Sequence, residues 1–323
     1  MPLAFGFNSL VQFDWETTYG TFPSGSAFKT LPVISYDPNI TQPWEGLDVV
    51  GLGSTRDITA HNRGLLTIEP RVEAPIDLIN SGYWLRAVFG DPATTGSADK
   101  THVFKSGAWA TTGAPPSMGI EHGNPNIPNG YQRVGGLRAD TLELAFRPGE
   151  TVQTMTVGLV GRTATRHASS VDAESTQATF TPFLGPVSTA TRAGSPLGRV
   201  TSATLRFSNG LERLREANRA DSAISEAAPG VTEVTGTIDI RMDDDVILAD
   251  GEGGAPVALA FGYSISATQA LTFAVPRARL ERAGIGARGR AGIQATFTFR
   301  GEYDATAQAA LTATLLNQQA SYA

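Results

Sequence analysis

The sequence predicts a mainly β protein that uses one layout twice, and three observations lead there. With 35 Gly and 19 Pro in 323 residues, the chain has many turn sites and few uninterrupted stretches for long helices. Apolar and polar residues alternate through several short segments, the period of a half-buried strand. The segment 67–73, TIEPRVE, returns as 237–243, TIDIRMD. Thr67/Thr237, Ile68/Ile238 and Arg71/Arg241 are identical, Glu69/Asp239 and Glu73/Asp243 are both acidic, and Val72/Met242 are both apolar. The length exceeds what one hydrophobic core usually serves, which agrees with two domains.

Taken in order, 7–13 (FNSLVQF) and 31–36 (LPVISY) are short strand candidates around a turn-rich stretch, and 40–63 reads as a long polar loop. Residues 64–72 form a strand candidate with Leu66, Ile68 and Val72 roughly on one face. Residues 76–89 are the best helix candidate: Ile76, Ile79 and Tyr83 make an apolar stripe, with Leu78, Leu85 and Phe89 beside it. Gly90 and Pro92 stop it, and Gly82 weakens its interior by roughly 1 kcal/mol relative to Ala. Residues 91–130 are irregular, with a short strand near His102–Phe104. In 140–160, Leu142, Leu144 and Phe146 alternate before the turn Arg147-Pro148-Gly149-Glu150, which predicts a β-hairpin.

The second half restarts at 200–207, where Ala203, Leu205 and Phe207 alternate. A polar and helix-compatible loop spans 209–228, followed by a strand over 231–242 and a short helix over Asp243–Ala249. Three more strands are expected at 256–265, 270–280 and 291–300.

Composition narrows the function. There are no cysteines, which excludes disulfides, thiolate nucleophiles and Cys-bound zinc. A net charge of −6 argues against a broad nucleic-acid-binding surface. The N-terminal stretch lacks the pattern of a signal peptide, and no apolar run is long enough to span a bilayer, so an intracellular origin without membrane insertion is expected.

Several motifs invite a chemical reading, and each has a blander one that fits better. Gly284, Gly286 and Gly289 spell GxGxxG, but the alternating segment Ala291–Arg300 follows where a dinucleotide fold needs a helix. Asp243-Asp244-Asp245 lacks EF-hand spacing and His partners, and suits a helix start. His61, His102, His122 and His167 all lie in loop-like sequence, and Glu121-His122 is one adjacent pair in a Pro/Gly/Asn loop. Trp15, Trp44, Trp84 and Trp109 could line a sugar-binding groove, but packing or inter-subunit contact is the simpler role. No catalytic residue, cofactor or metal is expected, and the chain reads as a building block rather than an enzyme.

Glu16-Thr17-Thr18-Tyr19-Gly20-Thr21, the segment 64–90, the hairpin at 137–160, the run from Val234 through Asp245 to LTFAVPRARL, and ATFTFRGEYDA resemble, in that order, the larger two-part tail tube proteins of long-tailed (siphovirus-type) phages. The resemblance implies two tandem tube domains, 1–165 and 197–323 with a linker at 166–196, each a β-sandwich or barrel with a flanking helix. It implies strands that join neighbouring subunits in an inner β-barrel ring, and rings that stack head-to-tail into a conduit for ejected DNA. Two domains per chain then suggest a trimeric ring with pseudo-sixfold symmetry, a hexamer being the alternative. Expected partners are other copies of the chain, the tape measure protein, the tail terminator and distal tail proteins, in a virion tail assembled in the host cytoplasm. Strand alternation makes Glu69, Glu143, Asp239 and Gln294 candidate lumen-facing residues, and the three acids among them would repel DNA phosphates. The competing reading is a β-sandwich adhesion or carbohydrate-binding protein.

Overall fold

The computed structural model describes residues 6–322 apart from 26, 47–56, 59, 112, 178, 218–220 and 286–291. The first half runs β1 (Leu10–Trp15), β2 (Ser35–Asp37), β3 (Arg71–Pro75), α1 (Ser81–Phe89), β4 (Lys100–Lys105), β5 (Met118–Gly123), β6 (Tyr131–Phe146), β7 (Thr154–Val160) and β8 (Thr163–His167). The second runs β9 (Ser188–Arg192), β10 (Val200–Ser208), β11 (Glu233–Arg241), α2 (Val246–Gly253), β12 (Val257–Ser266), β13 (Gln269–Leu280), β14 (Gln294–Gly301) and β15 (Thr312–Asn317). The mainly β expectation holds.

The same path of strand pairings is travelled twice. In the first pass β1 pairs with β5, β2 with β3, and β3 with β7. The long strand β6 is flanked by β5 and β8 along its first half and by β7 along its second. In the second pass β9 pairs with β12, β10 with β11, and β11 with β14. There β13 is flanked by β12 and β15 early and meets β14 at its end. Each pass places its helix between the same two strands of the path. One pairing fuses them: Thr141–Phe146 of β6 lies antiparallel to Ala203–Ser208 of β10. The result is a continuous eight-strand sheet in the order β2-β3-β7-β6-β10-β11-β14-β13.

The bend in β6 has a local cause. Gly136 sits at a φ of +65°, a conformation that favours glycine, between the stretch paired with β8 and the stretch paired with β7. Its N–H donates to the carboxylate of Glu16 at 2.6 Å, which fixes the corner.

The buried face of the long sheet is the alternating set read from sequence: Leu142, Leu144 and Phe146 on β6, Ala203, Leu205 and Phe207 on β10, Ile238 and Ile240 on β11, and Phe297 and Phe299 on β14. These side chains join one core cluster drawn from both halves. Phe146 packs on Phe261 and Tyr263 at 5.4 Å, and Phe89 of α1 meets Phe207 at 4.9 Å. Each buried aromatic contributes about 1.5–3 kcal/mol through removal of apolar surface from water.

Local differences from the sequence reading have physical reasons. The helix expected over 76–89 begins at Ser81, because Ile76 and Leu78 give their N–H groups to the carbonyls of Gln153 and Thr181 (2.8 and 2.9 Å). Asp77 and Ser81 then cap the start, each side chain accepting the other's N–H at 2.9 Å. Gly82 leaves room for the ring of Tyr322, which a Cβ would strike. The loop expected at 40–63 contains strand pairs: Ile40–Thr41 with Thr67–Ile68, and Trp44–Gly46 with His61–Arg63. The helix-compatible segment 209–228 is instead a hairpin of Glu212–Leu214 with Glu226–Ala228, because Leu211, Ile224 and Ala227 bury together over Val160. The first strand begins at Leu10 rather than residue 7, and α2 runs to Gly253 rather than 249. Within 166–196, β9 hydrogen-bonds to β12.

Candidate functional site

Because side chains alternate along a strand, the face opposite the core collects every second residue of the eight strands. Strand registers align these residues in rows. One row crosses all eight strands: Ser35, Glu73, Thr156, Glu143, Arg206, Thr235, Arg300 and Arg279. A second runs Asp37, Arg71, Gly158, Thr141, Ser208 and Glu233. Further along lie Thr204, Thr237 and Thr298, then Ser202, Asp239 and Thr296, then Arg241 and Gln294. The surface is hydroxyl-rich, with charges of both signs.

Its charges are mostly paired. Glu143 lies between two guanidinium groups, Arg71 at 3.2 Å and Arg206 at 3.5 Å. Arg300 reaches Glu233 at 3.1 Å and Glu281 at 3.4 Å. Arg279 forks onto Glu302 at 2.6 and 3.1 Å, and this hydrogen bonding holds Glu302 below the usual carboxylate range. Asp239 accepts the hydroxyls of Ser202 (2.5 Å) and Thr296 (2.6 Å). At the edge of this face, Asp37, Glu69, Arg71, Asp140, Glu143 and Arg213 line a cavity of about 300 Å³.

Of the four candidate residues, Glu143, Asp239 and Gln294 share this exposed face. Glu69 lies off the strand rows, between Thr67–Ile68 and β3, with its carboxylate on Arg213. Sequence reasoning missed Arg71, Arg206, Arg300 and Arg279. The alternation that placed Leu205 and Phe207 in the core already put Thr204 and Arg206 on the other side, so the signal was present.

The other sequence-flagged groups have structural roles. Glu121 is fully buried and accepts hydrogen bonds from Gln12 (2.8 Å), Arg133 (2.7 Å), Ser170 (2.8 Å) and the N–H of Val171 (3.1 Å). His122 points elsewhere, its ring 5.8 Å from Tyr36, and burial lowers its pKa. His102 is buried between Thr94 and the carbonyl of Gln319, while His61 is exposed and His167 lies beside Thr165. Asp243 pairs with Arg199 at 2.6 Å, and Asp244 accepts the N–H of Val246 at 3.2 Å. Asp245, the residue before α2, makes no side-chain capping bond, so the cap is Asp244's alone. No group of three or more His, Asp or Glu suited to a metal occurs among the described residues. Gly284 is in no helix or strand, and Gly286 and Gly289 lie outside the described residues.

The tryptophans do not form a groove. Trp84 is buried, Trp15 lies beneath Arg86 at 4.2 Å, and both flank Phe13. Trp44 is 62% exposed on its own hairpin, with Arg63 over its ring at 5.3 Å.

The geometry thus offers a broad, polar sheet face of balanced charge. No curated protein matches the chain. The adhesion reading gains no support, whereas the model of the phage tail tube protein family matches residues 6–301, nearly the whole length. The chain therefore belongs to the phage tail tube protein family and is a structural protein of the phage tail.

Proposed function

We propose that three copies of the chain close into one pseudo-sixfold ring of a long-tailed, siphovirus-type tail. Residues 1–165 and 197–323 act as its tube domains, with 166–196 linking them. Rings stack head-to-tail, a heterologous assembly, and the exposed face of the eight-strand sheet lines the bore through which DNA passes. Glu143, Asp239 and Gln294 then face the lumen, and Glu69 lies at its margin.

The observation that carries this reading is the β6–β10 pairing. It joins the sheet of the first pass to that of the second within one chain. Among the described residues β2 has only β3 as a strand neighbour, although its counterpart β10 has two. The missing neighbour of β2 is supplied by the far end of β13 and the chain beyond it in the next copy. Such closure removes exposed edges.

The dimensions fit. Three copies of eight strands give 24; at a spacing of about 4.8 Å and a tilt of about 40°, these close at a backbone diameter of about 48 Å. Inward side chains about 6 Å long leave a bore of about 35 Å, wider than a DNA duplex. The chain's further partners are the tape measure, terminator and distal tail proteins, and assembly takes place in the host cytoplasm. Native mass measurement of isolated rings tests the stoichiometry: three chains per ring is expected, and six would overturn it.

A further inference from the structure

The carboxylates of the exposed sheet face fall into two kinds. Glu143 is wedged between Arg71 and Arg206, which come from strands on either side of β6 in the sheet. Asp239 is held by two hydroxyls, and among the described residues no guanidinium donates to it. Both are single negative charges on one face. A repulsive acidic surface would use them alike.

We propose that Glu143 is a charge mask: it occupies Arg71 and Arg206 so that these cations do not capture a polyanion passing over the sheet. Arginine binds phosphate through a planar fork of donors. Uncommitted guanidinium groups on a DNA-lined path would each release a counterion on meeting a phosphate, and so slow the strand. With its carboxylate in place, the cluster has two positive charges against one negative, with Arg71 hydrogen-bonded to Glu143 and Arg206 ion-paired with it. Without it, two guanidinium groups 135 residues apart in sequence stand together and unpaired. The function of the proposal rests on this face being the tube lumen; the masking itself is a property of the exposed face.

The test uses purified full-length protein and a fluorescein-labelled 12-base-pair DNA duplex, with binding followed by anisotropy across a salt series. Three variants are compared: Glu143→Gln, Asp239→Asn, and Glu143→Gln combined with Arg71→Gln and Arg206→Gln. Exposed ion pairs contribute little to folding, and circular dichroism confirms that each variant is native. Masking predicts that Glu143→Gln binds at least about tenfold more tightly than Asp239→Asn, with a salt slope steeper by about 2, one counterion for each freed arginine. The triple variant returns to the wild-type level. Equal gains in the two single variants would mean simple repulsion and overturn the mask, as would no gain in Glu143→Gln. Micrographs of the same preparations report separately on the tube: absence of rings counts against the lumen reading, while the anisotropy still decides the mask.

Discussion

The two helices occupy the same place in the two passes, yet their surroundings differ sharply. In α1 every residue but Arg86 is buried; in α2 only Ile247 and Gly251 are. Phe13 and Trp15 of β1 cover one side of α1, and the second half of the chain adds the rest. Phe207 packs on Phe89, Asn209 donates to the carbonyl of Val88 at 2.9 Å, and Tyr322 fills the space above Gly82. No equivalent cover lies over α2 among the described residues. Beside it, Leu197, Ile240, Met242, Val246 and Ile247 line a cavity of about 240 Å³ with Val246 40% exposed. Among the described residues, the second pass covers α1 and nothing covers α2 in the same way. In the ring proposed above, the first pass of the next copy would lie against that exposed side.

Truncating one apolar residue in each helix breaks or sharpens this comparison most strongly. Phe89→Ala opens a cavity at the contact between the two passes and is expected to cost about 3–5 kcal/mol, whereas Val246→Ala on α2 is expected to cost less than about 1 kcal/mol in the isolated chain. Denaturant titration of both variants measures this. Similar costs would show that α2 is as well covered as α1, and the comparison would fail.

The next test concerns β2 against β10. Ser35 and Asp37 lie opposite Glu73 and Arg71 of β3, whose backbone groups point away from β7, so by the alternation of a strand Tyr36 presents its N–H to the other edge. Tyr36→Pro removes that donor without a backbone bond lost inside the chain, and Tyr36→Ala is the control for the lost ring. The monomer stabilities of these two variants should differ by less than about 1 kcal/mol, while the population of rings at a fixed concentration in Tyr36→Pro drops about tenfold below that in Tyr36→Ala, equivalent to about 1.4 kcal/mol. Unchanged rings by size-exclusion chromatography would show that this edge is not the seam.

How much of this was legible in the sequence depends on the range of the interaction. Leu142, Leu144 and Phe146 announce their face through period 2 alone, and Glu143 follows by alternation. That Glu143 meets Arg71 and Arg206 depends on registers between segments far apart in the chain, which no local pattern encodes. The same limit explains the helix start. Ile76 and Leu78 fit the helical stripe, but Gln153 and Thr181 take their backbone donors. In 209–228, Leu, Glu, Arg and Ala suit a helix by propensity, and burial of Leu211, Ile224 and Ala227 over Val160 overrides it. The repeat at 67–73 and 237–243 was visible at six positions, while its larger content, the doubled pairing path, lies in hydrogen bonds rather than in residue identity.

The smallest expected effect probes β4, the strand that has no counterpart in the second pass and ties the first to β15. His102 on β4 is buried, its Nδ1 2.8 Å from the hydroxyl of Thr94 and its Nε2 3.0 Å from the carbonyl of Gln319, with Tyr322 edge-on at 4.9 Å. Those partners suit a neutral ring that accepts at Nδ1 and donates from Nε2. Burial lowers its pKa from 6.5, and burial lowers that of His122 in β5 as well. A base whose folded pKa is depressed binds its proton first in the unfolded chain. The stability due to these two residues is therefore complete above pH 6.5 and declines as the pH falls from there toward their folded values. Between pH 7 and 5.5, above the main carboxylate titrations, the melting temperature should fall, and His102→Gln should lessen that fall by about 2 °C while keeping a donor for Gln319. A fall of the same size in His102→Gln and wild type would place the pH response at His122 and leave the tie between β4 and β15 insensitive to protons.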